Sequence, residues 1–163
     1  MTLILDSSVV IAWLMPDEQA AEADLAVAEA MANGADVPAL FGFEVANALM
    51  MNVRRKRIGL DAALAGLADL GTLEIRPEIA PTPEQLQTIA NLAARYRLSA
   101  YDAAYLELAR RLGGRLATLD GDLKTAAKAE NVPVFASGPT TGSSMARSAR
   151  GRLRGFWNSR STA

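Results

Sequence analysis

The sequence contains no histidine and no cysteine, and these two absences exclude more chemistry than any motif supplies. Without histidine there is no Ser-His-Asp triad, no imidazole base and no His-bearing zinc site. Without cysteine there are no thiol nucleophiles, Cys-ligated zinc ions, iron-sulfur clusters or disulfides, and nothing points to an oxidising compartment. Chemistry in this chain must run on carboxylates, hydroxyls, Lys or Arg. No uninterrupted apolar run approaches the roughly eighteen residues of a spanning helix. The opening Met1-Thr2-Leu3-Ile4-Leu5 meets Asp6 too early, and without a basic flank, to read as a signal peptide. The expectation is a cytoplasmic protein with no membrane partner.

What is present is enough for one core. The chain has 163 residues, 50% hydrophobic and 21% charged, so burial can offset chain entropy in a single domain of ordinary size. The net charge of -1 conceals a split. Residues 1–137 hold all eighteen acids and twelve of the seventeen bases, a net of -6, whereas residues 138–163 hold the other five bases and no acid, a net of +5. The second stretch, rich in Gly, Ser, Thr and Arg, lacks a sustained apolar period and reads as a basic, flexible tail. Its Arg147, Arg150, Arg152, Arg154 and Arg160 suit nucleic-acid phosphates, and Phe156 and Trp157 suit stacking on bases. A merely solubilising extension accounts for the same composition.

Residues 1–137 alternate between short apolar runs and helical periods. Strands are expected at Thr2 to Asp6, Asp36 to Pro38, Thr72 to Arg76, Arg115 to Leu119 and Val132 to Phe135. Between them, helices are expected over Ser7 to Leu14, from Pro16-Asp17 to Asn33, Ala39 to Arg57 with Gly59 as its stop, Asp61 to Leu70, Pro83 to Tyr96, Ser99 to Leu112 and Asp122 to Glu130. Strands separated by helices imply right-handed crossovers and a mostly parallel sheet covered on both faces. The fold class is therefore a three-layer α/β/α sandwich.

In such a sheet, ligands sit beyond the carboxyl ends of the strands, so acids that close apolar strands are candidates. Asp6 follows Leu3-Ile4-Leu5, and Asp120 follows Leu116-Ala117-Thr118-Leu119. Each also suits a helix cap or a turn. Glu44 interrupts an otherwise apolar segment, Leu40 to Leu49. It either occupies a cleft or lies on an exposed first turn favoured by the helix dipole. Asp102 stands three residues after Ser99, a capping arrangement that leaves its carboxylate free to face a crevice as well. Tyr101, Tyr105, Leu108 and Leu112 read as core on the other side of that helix.

All four acids fall at strand ends or in first helical turns, which is one edge of a parallel sheet. Unit charges about 5 Å apart repel by roughly 3 kcal/mol at an effective dielectric near 20, so a converged cluster calls for a divalent cation. Ligation by acids alone suits Mg²⁺ or Mn²⁺. Ser7 and Thr118 are placed to orient water or a carboxylate from behind.

The residues resemble the PIN-domain family, in particular the VapC-type toxins of bacterial toxin-antitoxin pairs. The likeness spans residues 2 to 136. It rests on Leu3-Ile4-Leu5-Asp6-Ser7-Ser8, on Val37-Pro38-Ala39-Leu40 leading to Glu44-Val45-Ala46-Asn47, on Tyr101-Asp102-Ala103-Ala104-Tyr105, and on Leu116-Ala117-Thr118-Leu119-Asp120 with Leu123. The resemblance implies a metal-dependent endoribonuclease whose four acids correspond to Asp6, Glu44, Asp102 and Asp120, with Asp122 able to share or replace the fourth role. It implies an RNA substrate, a homodimer, and a small DNA-binding antitoxin that pushes a peptide, often bearing an arginine, into the acidic cleft.

The mechanism expected is hydrolysis of RNA phosphodiesters by a metal-activated water, since no side chain here can serve as a histidine base. Arg54, Arg55, Lys56 and Arg57 suit the RNA backbone, and equally suit the dipole at a helix end. The rival reading is a non-catalytic protein- or RNA-binding module of the same fold, in which the acids only cap helices. An aspartyl-phosphate enzyme fits less well, because no acid stands two residues after Asp6 and no lysine lies in Val132 to Phe135.

Overall fold

A computed structural model describes residues 1–18 and 20–136. The basic stretch 138–163, with its five arginines and its Phe156-Trp157 pair, lies outside the described residues. In chain order the elements are β1 (Leu3–Leu5), α1 (Ser7–Leu14), α2 (Ala21–Asn33), β2 (Ala35–Val37), α3 (Phe41–Arg54), α4 (Leu60–Asp69), a 3-10 turn (Leu70–Thr72), β3 (Ile75–Pro77), α5 (Pro83–Tyr96), α6 (Ala100–Leu112), β4 (Arg115–Ala117) and α7 (Gly121–Ala129).

The four strands form one parallel sheet in the order β3-β2-β1-β4. The chain steps from β1 outward to β2 and β3, then returns to place β4 on the free side of β1. With right-handed crossovers, this reversal puts the helices of the two halves on opposite faces and gives a three-layer α/β/α sandwich. Helix α2 packs on β1, and α6 packs on β1 and β4 with α7 beside it. The central strand is fully apolar and sealed on both faces, since Leu3, Ile4 and Leu5 are all buried. Leu106, Leu108, Leu116 and Leu123 complete the core on the α6 side, and Val9, Val10, Val27 and Leu49 are among its largest buried members elsewhere. Among the described residues no helix is long and apolar enough to cross a membrane.

Several boundaries differ from the sequence reading. Helix α2 starts at Ala21, and Pro16-Asp17 form a turn instead. Arg57 reaches across to this turn and bonds Asp17 at 2.7 Å and Glu18 at 3.4 Å, a tertiary contact that local sequence does not announce. Helix α3 ends at Arg54, because Lys56 turns left-handed at φ 56° and Arg57 folds back onto Asn52. Gly59 then occupies the N-cap position of α4 rather than ending α3. The strand expected over Val132 to Phe135 is reduced to a single parallel bridge between Leu116 and Val134. Pro133 has no amide hydrogen to extend that ladder. Tyr101 and Leu112, expected in the core, are 61% and 44% exposed, whereas Tyr105 and Leu108 are buried.

Away from the carboxyl edge, Asp36 of β2 accepts from Thr2 and from two of the three Arg76 guanidinium nitrogens, at 3.1 and 3.0 Å. Arg76 holds the Asp36 carboxyl below its usual range. Gly34 precedes this cluster at φ 75°, and a Cβ there would fall 1.9 Å from the Arg76 guanidinium. Gly34→Ala is therefore expected to cost about 1–3 kcal/mol, from backbone strain plus displacement of Arg76. Urea denaturation monitored by far-UV circular dichroism measures this, and an unchanged midpoint contradicts it.

Candidate active site

The order β3-β2-β1-β4 makes the carboxyl ends of β1 and β4 the point where the connections diverge, the usual position of a ligand crevice in an open parallel sheet. Asp6 leaves β1 at that point and Thr118 leaves β4. The Asp6 amide still bonds the Ala117 carbonyl at 2.9 Å, so the two strand ends are in register.

Asp6 is only 3% exposed. It stands at the N-cap of α1 but makes no side-chain capping bond. Its carboxylate is instead turned across the sheet. Oδ2 accepts the Ser8 hydroxyl at 2.5 Å and the Thr118 hydroxyl at 2.6 Å. Burial raises its pKa, the Ser8 and Thr118 hydroxyls oppose that shift, and the charge of Asp102 adds to it. A buried acid raised in this way, with hydroxyls and no cation beside it, is costly to the fold and is not explained by capping.

Glu44 projects from the first turn of α3 and is half-buried, between the two positions its sequence context allowed. Its Oε2 accepts the Tyr105 hydroxyl at 2.5 Å. Burial pushes its pKa up; the Tyr105 and Ser7 hydroxyls hold it down, and the charges of Asp6 and Asp102 push it up again. Tyr105 in turn is raised, chiefly by burial and then by Glu44, so it remains a neutral hydroxyl donor. Asp102 lies in the first turn of α6, where Ser99 both accepts the Asp102 amide at 3.0 Å and donates to Asp102 Oδ2 at 2.6 Å. Three acids from three helices are thus close enough to feel one another's charge.

Asp120 joins this group indirectly. Thr118 Oγ1 accepts the Asp120 amide at 3.0 Å while donating to Asp6. The exposed Asp120 carboxylate caps α7 through Oδ1, which accepts the Leu123 amide at 2.7 Å. Asp122 is exposed in the first turn of α7. No hydrogen bond among the described residues ties it to the other acids. The capping reading is thus realised at Asp120, and it leaves Oδ2 open.

Ser7 sits beside the Glu44–Tyr105 pair and Thr118 behind Asp6, the two supporting positions read from sequence. Two functional contacts were not read from it. Ser8 donates to Asp6 while accepting the Leu119 amide at 3.0 Å. Tyr105 combines a fully buried ring with a hydroxyl on Glu44. The signal for Ser8 was its place two residues after Asp6; for Tyr105 it was helical spacing, one turn beyond Asp102. The base cluster at the end of α3 lies about 15 Å along the helix from Glu44, at 1.5 Å per residue, and Arg57 is engaged by Asp17 and Glu18.

The site acids differ from many of the chain's other acids, though not from all of them, in lacking an arginine or lysine partner. Asp17, Asp36, Glu78, Glu107 and Glu130 each pair with an arginine. Among the described residues no Lys or Arg pairs with Asp6, Glu44, Asp102, Asp120 or Asp122. What opposes their mutual repulsion is the positive end of α1, α3, α6 and α7, each of which begins at this edge. The donors are all oxygen, which fits a hard divalent cation. As the side chains stand, no three acids among the described residues close around one point at metal-ligand distance. An apolar groove of about 440 Å³, lined by Val37, Pro38, Phe41, Phe43, Ile75 and Pro77 among others, opens beside the turn that carries Glu44.

Thr118→Val tests the hydroxyl bridge without changing side-chain size. It strips one donor from Asp6 and leaves the Asp120 amide without its acceptor. The expected cost is about 1–3 kcal/mol. Equilibrium urea unfolding reads this, and parental stability would show that the bridge contributes nothing.

Comparison with known proteins agrees with this architecture. Residues 3–129 match the family model of the PIN domain. The chain is 34% identical to Ribonuclease VapC3 of Pyrobaculum aerophilum over 124 residues, which is 76% of this chain and 92% of that protein. Its fold is similar to the crystal structure of PAE2754 from Pyrobaculum aerophilum, with a TM-score of 0.61 and 21% identity, covering 95% of this chain and 98% of that one. With the family model spanning most of the described residues and a relative above 30% identity over most of both chains, this protein belongs to the PIN-domain family.

Proposed function

We propose that the chain is a Mg²⁺- or Mn²⁺-dependent endoribonuclease acting as the toxin of a type II toxin-antitoxin pair. The observation that carries this reading is Asp6, a buried carboxylate without a cation, placed where the sheet's connections diverge and coupled to Glu44 and Asp102. The relative named a ribonuclease supports the substrate class.

In this reading Asp6, Glu44, Asp102 and Asp120 hold the ion, with Asp122 able to share the fourth position. A divalent ion held by these acids would supply a water of lowered pKa and charge to offset that on the phosphoryl and leaving oxygens. The chain's own groups do the rest. Ser8 and Thr118 fix Asp6, Tyr105 and Ser7 fix Glu44, and Ser99 fixes Asp102. Asp120 is the exposed member, and its open Oδ2 is placed to take a proton during hydrolysis. In this reading the nuclease domain is residues 1–137, and the basic stretch 138–163 lies outside it.

The partners follow from the charge of the site. In this reading an RNA strand would approach these acids only with a cation to offset their charge, and the cation-free cleft suits an arginine-bearing peptide. A small DNA-binding antitoxin that inserts such a peptide is the inhibitor in this reading, the toxin being a cytoplasmic homodimer. The test is to incubate the purified chain with RNA in Mg²⁺ or in EDTA, and to sequence new RNA ends in cells expressing the parent or Asp6→Asn. Cleavage that requires both the ion and Asp6 is expected. Absence of new ends with either protein overturns the reading in favour of a non-catalytic binding module.

A further inference from the structure

Aromatic side chains are mostly buried in this fold. Trp13, Phe41, Tyr105 and Phe135 lie in the core, and Tyr96 is half-buried with its hydroxyl on Glu130. Among the described residues two aromatics are exposed, Phe43 at 81% and Tyr101 at 61%. Each stands immediately before a site acid: Phe43 before Glu44 in the first turn of α3, and Tyr101 before Asp102 in the first turn of α6. Consecutive residues on a helix point about 100° apart, so each ring flanks its acid without covering it.

The surroundings differ for the two rings. Phe43 forms one wall of the apolar groove of about 440 Å³, with Pro38, Phe41, Ile75 and Pro77 among its other walls. That volume suits a small molecule or one planar group of a larger one. Tyr101 is not part of the groove's lining, and its hydroxyl has no hydrogen-bond partner among the described residues. Packing and hydrogen bonding therefore leave its place unexplained. What the two rings share is their position beside the acids, not a common apolar face of the kind a docking protein covers.

We propose that Phe43 and Tyr101 are stacking platforms for unpaired nucleobases next to the phosphate to be cut, which restricts the substrate to single-stranded or looped RNA. The inference rests on the ribonuclease reading above and adds the strand state of its substrate. Asp6, Glu44 and Asp102 repel one another's charge and are poor partners for a phosphate backbone. Stacking adds a hold on RNA that does not depend on charge, because bases are neutral and every base has a π-face to lay on an aromatic ring. In a duplex those faces are stacked on one another and closed to the protein.

The test compares the parent with Phe43→Ala, Tyr101→Ala and Tyr101→Phe, each as the full chain in Mn²⁺. The substrate is a single-stranded RNA that the parent cleaves, carrying a fluorescent purine analogue beside the cut, alone or annealed to its complement. Steady-state kinetics give KM and kcat, and stopped-flow mixing reads the quenching of the analogue by stacking before cleavage. The parent is expected to quench the analogue and to cut the annealed RNA far more slowly than the single strand. Each alanine variant is expected to raise KM about tenfold, to change kcat much less, and to quench less. Tyr101→Phe keeps the ring and stays near the parent. Parental KM and quenching in both alanine variants, or equal cleavage of annealed and single-stranded RNA, overturn the stacking proposal and leave the nuclease reading standing. Variants that lose self-association with KM unchanged assign the rings to a second copy of the chain and overturn it as well. A parent that cleaves no RNA overturns both readings.

Discussion

Asp6→Asn is expected to lower metal-dependent RNA cleavage by about a thousandfold or more, the scale of losing a principal charge-stabilising group in an enzyme site, while leaving the fold intact. The second half of that statement comes from the geometry. Asp6 is 3% exposed and is held by the Ser8 and Thr118 hydroxyls and the Ser8 amide, with no cation among its partners. An asparagine carbonyl can accept the same two hydroxyls, and the substitution removes a charge that burial and Asp102 both disfavour. The metal-free variant should melt at or above the parental temperature, which separates a lost site from a lost fold. Cleavage assays on labelled RNA, run beside thermal melts in EDTA, measure both quantities. Parental cleavage by the variant, or a melt far below the parent's, contradicts the assignment.

The second large effect is a stability profile that the ion inverts. Burial raises Asp6 and Glu44 above the ordinary carboxylate range. A group whose folded pKa is raised contributes stability that is complete below its unfolded pKa and is lost as pH rises through the folded one. In EDTA the protein should therefore gain stability as pH falls from neutral toward the ordinary carboxylate range. Below about 4 the trend reverses, because Asp17, held down by Arg57, and Asp36, held down by Arg76, then take up protons and lose their ion pairs. Saturating Mn²⁺ changes the order, since it binds the ionised acids. At a hundred times its dissociation constant a ligand adds about 2.7 kcal/mol, or roughly 5–10 °C in Tm for a domain of this size. The gain should be present at pH 7, shrink as protons compete at pH 5, and be absent from Asp6→Asn. Calorimetric melts across this range, with and without Mn²⁺, decide it. Metal-free stability that rises steadily from the ordinary carboxylate range to neutral pH would contradict the raised pKa of these acids.

The sequence reading and the structure part company where tertiary contacts override local signals. Pro16-Asp17 carries the signature of a helix start, yet Arg57, forty residues on, holds Asp17 in a turn. Gly59 reads as a stop for the preceding helix and instead begins α4, because Lys56 already ends α3 with a left-handed turn. Asp6 suits both a cap and a strand-end site in the sequence, and its carboxylate turns to Ser8 and Thr118. Tyr105 reads as packing and is also a donor to Glu44. Helix α5 was legible from Pro83 to Tyr96, and the Thr82–Gln85 capping box that the structure adds at its start is equally local.

The sequence by itself determined the class of fold, the missing histidine and cysteine chemistry, and which acids stand at strand ends or in first helical turns. Those properties depend on composition and on residues within a few positions of one another. Only the tertiary structure decided that β4 lies beside β1, which brings Thr118 to Asp6 across 112 residues, and that Tyr105 reaches Glu44 across 61. It also decided which oxygen of each carboxylate is occupied and which acids lack a cation. Hydrogen bonds between distant segments depend on angles and fractions of an ångström that strand pairing and helix packing set together, and no local pattern encodes them.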